Sequence, residues 1–172
     1  PCETLDGHRM PLYVNTGLIT DVVRSLNHGA EGIGLYRTEV PFMINERFPS
    51  EQEQRAYYRE QLEAFAPADV TMRTLDVGGD KALSYFPIAE ENPFLGWRGI
   101  RVTLDHPEIF LVQIRAMIKA SEGLDNLRIM LPMVSNVSEI EEAQHLIYRA
   151  WHEVRAEGYQ LAMPQVGVMI EI

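Results

Sequence analysis

The stretch Val70-Thr-Met-Arg-Thr-Leu-Asp-Val-Gly-Gly-Asp-Lys81 decides how this chain is read. A short apolar run, Val70 to Leu75, has strand character and carries Arg73; it opens into a glycine turn with Asp76, Asp80 and Lys81. Outward from it, four further runs read as strands: Leu12 to Asn15, Ile33 to Arg37, Leu127 to Pro132 and Gln165 to Glu171. Each strand but the last is followed by a helical pattern. Asp21 to His28 is a short helix. Ser50 with Glu53 three residues on forms a capping box that opens a helix to about Ala66. Asp105 and Pro107 precede a helix to about Ala120 that stops near Gly123. Ser138 and Glu141 repeat the capping box, and Ile140, Ala143, Ile147, Ala150, Trp151 and Val154 then recur at three- and four-residue steps until Gly158.

Strand alternating with helix predicts an α/β fold with a parallel sheet covered by helices, doubly wound or closed as a barrel. Periodicity does not choose between these. The long connection from Asp76 to about Gly96 is rich in Gly, Pro, Asp and Glu, and loops of this length are commonly functional. In a barrel it follows the third strand and lies at the carboxyl face, where active sites are built.

With 172 residues and 46% hydrophobic residues the chain can bury one core, so one folding unit over 1–172 is expected, with 1–11 as a leader segment. No apolar run reaches the roughly 18 residues of a membrane span, and no secretory signal is visible. The single cysteine, Cys2, is compatible with a reducing cytosol. A formal charge of -10 without a basic stripe argues against nucleic acid, yet a few arginines in one cleft still make a local site for a small anion.

Arg37 and Arg73 each lie at or near the end of an apolar run, which puts both guanidiniums at one face of a parallel sheet. A guanidinium is a rigid fork of donors that matches phosphate oxygens two at a time; one contact at roughly 4 Å is worth about 4 kcal/mol before desolvation. The spacing equally allows local ion pairs, Arg37 with Glu39 and Arg73 with Asp76. Arg101 shares a helix face with Arg98 and reads equally well as a surface partner.

Taken with Gly32-Ile-Gly-Leu-Tyr-Arg-Thr-Glu39 upstream and Asn92-Pro-Phe-Leu-Gly-Trp-Arg98 downstream, the chain resembles, from about Leu12 to Ile172, the phosphoenolpyruvate-binding barrel of Enzyme I phosphotransferases. Phe48-Pro-Ser-Glu-Gln-Glu-Gln54 and Ala64-Phe-Ala-Pro67 are most similar to the nitrogen-type branch. The resemblance implies a partial (β/α)8 TIM barrel, its first half plus the fifth strand, since a complete one takes about 250 residues. It implies that Arg37 and Arg73 hold the phosphoryl group, that Arg98 supports them, that Lys81 lies near the phosphate, and that Glu171 binds Mg2+. The magnesium aspartate, its neighbouring asparagine, the carboxylate-binding arginine and the proton-donating cysteine of the family fall beyond Ile172.

None of His8, His28, His106, His145 and His152 matches the family's phosphate acceptor. The implied activity is transfer from phosphoenolpyruvate to an enzyme histidine and on to a histidine phosphocarrier protein, in the cytoplasm. The exposed edges of an opened barrel add an expectation of homo-oligomers. The chain alone is expected to bind anions weakly and not to turn over. Rival readings are part of a pyruvate phosphate dikinase or phosphoenolpyruvate synthase, and a non-catalytic metabolite-sensing module.

Overall fold

The computed structural model describes residues 2–17, 19–78, 83–86 and 99–170. Its elements run β1 (Val14–Thr16), α1 (Ile19–Asn27), β2 (Ile33–Arg37), α2 (Glu39–Ile44), α3 (Glu51–Phe65), β3 (Val70–Arg73), α4 (Ile100–Asp105), α5 (Pro107–Ala120), β4 (Leu127–Val134), α6 (Val137–Ala156) and β5 (Gln165–Ile170). The five strands form one parallel sheet in the order β1-β2-β3-β4-β5.

Spatial order equal to chain order settles what periodicity left open. A doubly wound sheet reverses its progression at a switch point, whereas a barrel wall steps in one direction. The helices agree, because α1 packs against α3, α3 against α5 and α5 against α6, as one continuous layer. Between layer and sheet lies the main core. Ile33, Val70, Met72, Ile129 and Leu131 from the strands meet Tyr58, Leu62, Phe110, Ile114, Met117 and Ile147 from the helices, all buried. Each such side chain contributes about 1.5–3 kcal/mol by leaving water. On β4 the alternation is plain: Leu127, Ile129 and Leu131 are buried, Arg128 is exposed and Met130 half-buried. Among the described residues the sheet is not closed, and it forms a partial barrel wall.

A second cluster covers the carboxyl end. Phe42, Leu75, Val77, Leu83 and Val102 are buried there against Phe48, Tyr85, Phe86 and Ile109. The Phe48 ring meets Tyr85 and Phe86 edge-on at 5.0 and 5.2 Å, and the Tyr85 hydroxyl donates to the Phe42 carbonyl at 2.7 Å. Residues 83–86 are thereby fastened to the end of α2.

Several boundaries differ from expectation. β1 begins at Val14 rather than Leu12, and β3 ends at Arg73 rather than Leu75. The helices α2 and α4 were not anticipated; six residues each are too few to show a period. Ser50 does cap α3, accepting from the Glu53 amide at 3.1 Å. The cap of α6, however, is Asn136 and not Ser138. Asn136 Oδ1 accepts from the Glu139 amide at 3.0 Å, and the Glu139 carboxylate accepts from the Ser135 hydroxyl at 2.6 Å. The Ser138 hydroxyl is spent as a donor to Asn136 at 2.6 Å. Gly158 closes α6 at φ +102°, a left-handed conformation that a side chain disfavours. Residues 2–10 form an exposed turn bridged between Glu3 and Arg9, and Arg9 pairs with Glu31.

Candidate functional site

The register of β2 on β3 sets Arg37 directly beside Arg73, and Arg73 beside Met130 of β4. Both arginines therefore occupy the carboxyl edge of the sheet, as the strand ends implied. Arg37 is exposed; its head reaches across the end of β1, where a Cβ added to Gly17 would sit 3.6 Å from Nη2. Among the described residues Arg37 makes no ion pair.

Arg73 is only 6% exposed. Its Nη2 donates to Glu39 Oε1 at 2.9 Å and its Nη1 lies 3.5 Å from Asp76 Oδ2. The same Glu39 oxygen accepts the Asp76 amide at 3.1 Å, so one carboxylate binds the guanidinium and the loop that follows it. Of the local pairings that spacing allowed, Arg73 with Asp76 forms, whereas Glu39 serves Arg73 and not Arg37. The reason is the helix α2, which begins at Glu39 and turns that side chain across to the neighbouring strand.

Arg73 Nε is buried and has no hydrogen-bond acceptor among the described residues. An unmet buried donor costs about 1–3 kcal/mol, more when charged, and an anion would relieve it. The acids leave the fork rigid and part of it unspent. Chemically this is an arginine-bearing edge, one guanidinium held between two carboxylates and one at the surface, with donors of the kind that match an anion with several oxygens.

Arg98, Lys81 and Glu171 lie outside the described residues, as does most of the Asp76 to Gly96 connection. In sequence, Arg98 immediately precedes Gly99 at the head of α4, and Glu171 follows the last residue of β5. Arg101 is exposed on α4. Among the described residues no group of three or more His, Cys, Asp or Glu side chains is placed to hold a metal ion. His8, His28, His145 and His152 are exposed, and His106 packs edge-on against Phe86 at 4.9 Å. Sequence reading missed Glu39 as the partner of Arg73, and it missed Gln113. The available signal for Gln113 was a glutamine on the apolar face of α5, in phase with Phe110 and Met117.

An in-order parallel β/α wall with arginines at its carboxyl edge is part of a barrel that carries guanidiniums on the face where barrel sites are built. Over residues 1–172 the chain matches the family described as PEP-utilising enzyme, PEP-binding domain, and it belongs to that family. It is 51% identical over 173 residues to the phosphoenolpyruvate-dependent phosphotransferase system protein of Escherichia coli (strain K12), which covers 100% of this chain and 23% of that relative. Identity to the phosphoenolpyruvate-protein phosphotransferase of Haemophilus influenzae is 46% over 173 residues, 99% of this chain and 30% of the relative. For the Staphylococcus carnosus phosphoenolpyruvate-protein phosphotransferase it is 45% over 171 residues, 98% of this chain and 30% of the relative. The chain thus spans less than a third of the length of these curated relatives. None of its described helices is long and apolar enough to cross a membrane.

Proposed function

We propose that this chain is the arginine-bearing part of the phosphoenolpyruvate site of a cytoplasmic phosphoenolpyruvate-protein phosphotransferase of the nitrogen-type branch. One observation carries the reading: Arg37 and Arg73 stand side by side at the carboxyl edge, with an unspent buried donor on Arg73. In this reading the phosphoryl oxygens lie across the two guanidiniums. As the bond from phosphorus to the enol oxygen breaks and a bond to a histidine nitrogen forms, negative charge stays on the equatorial oxygens. Fixed cations stabilise that charge without reorganising, which is where most of the catalysis of phosphoryl transfer lies. Glu39 holds the Arg73 fork in place before the ligand arrives.

In this reading Arg98 and Lys81, which follow β3 in the sequence, would add positive charge to the site. The acceptor histidine, the group that protonates the enolate carbon and the histidine phosphocarrier protein belong to other parts of the assembly. Magnesium takes one or two carboxylates plus phosphate oxygens, and Glu171 is the carboxylate this chain would offer, sharing the ion with bound substrate. The ion would supply a further positive charge on the phosphoryl group, in addition to that of the arginines.

Calorimetric titration of phosphoenolpyruvate, with and without magnesium, into this chain and into the full-length protein tests the reading. Magnesium-dependent binding by the full-length protein, with weak or no binding by this chain, is expected. Absence of binding in both would overturn it.

A further inference from the structure

Behind the arginine pair lies a buried polar chain that runs from the sheet edge into the helical layer. Its centre is Gln113 of α5, 1% exposed, on the face that also buries Phe110, Ile114 and Met117. A glutamine amide has one acceptor oxygen and two donor hydrogens. The Leu75 backbone amide can only donate, and it donates to Gln113 Oε1 at 2.8 Å, which fixes the orientation of the amide. The two Nε2 hydrogens then go to Thr38 Oγ1 at 3.0 Å and to the Tyr58 hydroxyl at 3.2 Å. Thr38 passes its own hydrogen to the Arg73 carbonyl at 2.8 Å. Tyr58 passes its hydrogen to Gln54 Oε1 at 2.9 Å, and Gln54 donates to the Pro49 carbonyl at 2.9 Å.

Backbone groups terminate the chain at Leu75, Arg73 and Pro49, so every hydrogen has one direction. Burial pushes the Tyr58 hydroxyl far above its ordinary pKa, and that hydrogen stays in place. The geometry has a consequence for the site. Thr38 sits between Arg37 and Glu39, while Arg73 and Leu75 flank the point where β3 ends. Gln113 thus ties the end of one arginine strand to the end of the other from behind.

We propose that Gln113 is a positioning residue of the phosphoenolpyruvate site, setting the spacing between Arg37 and Arg73 through Thr38 and the backbone at Arg73 and Leu75. The proposal rests on the phosphate-clamp reading above. Gln113→Met keeps the volume and removes every hydrogen bond of the side chain; Gln113→Glu keeps the shape and removes at least one of the two donated hydrogens. In the full-length protein each variant is expected to raise the KM for phosphoenolpyruvate about tenfold or more, the effect of leaving buried partners unmet, while the KM for the phosphocarrier protein is unchanged. A lowered melting temperature with an unchanged phosphoenolpyruvate KM would show a merely structural role and overturn the proposal.

Should both variants fail to fold, Tyr58→Phe takes their place, since its ring still fills the core. A rise in the same KM is expected there also, and no rise counts against the proposal. A second readout separates this inference from the function itself. Hydrogen exchange of the Leu75 amide and the NMR signal of Arg73 Nε–H, compared between wild type and Gln113→Met, report the positioning without substrate. Faster exchange and a shifted Arg73 signal support it even if wild type binds no phosphoenolpyruvate; identical spectra refute it.

Discussion

Arg37 and Arg73 are neighbours in the sheet but differ in what holds them. Arg37 is exposed and makes no ion pair among the described residues, so Arg37→Ala should change stability by less than about 0.5 kcal/mol in urea unfolding. Arg73→Ala would take the guanidinium away from the buried Glu39 carboxylate, whose side chain is 8% exposed, and should cost about 3 kcal/mol in the same measurement. Equal costs for the two substitutions would contradict this division of roles. The position of both arginines was legible because a strand end at the carboxyl edge follows from local pattern alone. The partner of Arg73 was not, since Glu39 is 34 residues away in sequence and reaches it only through the start of α2. Gln113, 75 residues from Thr38, is a pairing that only packing creates.

Among the elements, α3, α5 and α6 are joined by ion pairs that the sequence did not announce. Glu51 accepts from Arg115 at 2.6 Å and from Lys119 at 2.8 Å, while Glu153 and Glu157 meet the same two cations from α6 and its end. Partial burial alone would raise the Glu51 pKa; the hydrogen bonds from Lys119 and Arg115 overcome it and hold the carboxyl below its ordinary value. A depressed folded pKa gives stability that is present above the unfolded value, near 4.3, and is lost as pH falls through the folded one. Between pH 5 and 3 the melting temperature of wild type should therefore fall more steeply than that of Glu51→Gln; parallel curves would rule the pairs out as the cause.

The caps show how far local pattern reaches. Ser50 and Glu53 were legible as a box because nothing competes for the serine. At α6 the better acceptor, Asn136, lay two residues earlier and took the role from Ser138. Asn136→Ala should cost about 1 kcal/mol in urea unfolding, whereas Ser138→Ala should stay within about 0.5 kcal/mol. The reverse order would restore Ser138 as the cap.

At the scale of the molecule, the alternation of strand and helix was legible, but the order of the strands was not, because a period of two or of 3.6 says nothing of which strands are neighbours. The in-order sheet settles that and leaves β1 and β5 with unpaired edges among the described residues. Edges of this kind template further pairing. Sedimentation velocity on the isolated chain should therefore show self-association that grows with concentration; a monomer at every concentration would refute that expectation. The most direct test of the phosphate clamp uses the arginine that the fold can spare. Phosphoenolpyruvate is titrated calorimetrically, with magnesium, into the full-length protein and its Arg37→Ala variant, and both are melted in parallel. The clamp predicts an unchanged melting temperature and binding weakened at least a hundredfold, about 2.7 kcal/mol. Wild-type affinity in the Arg37→Ala variant would contradict it.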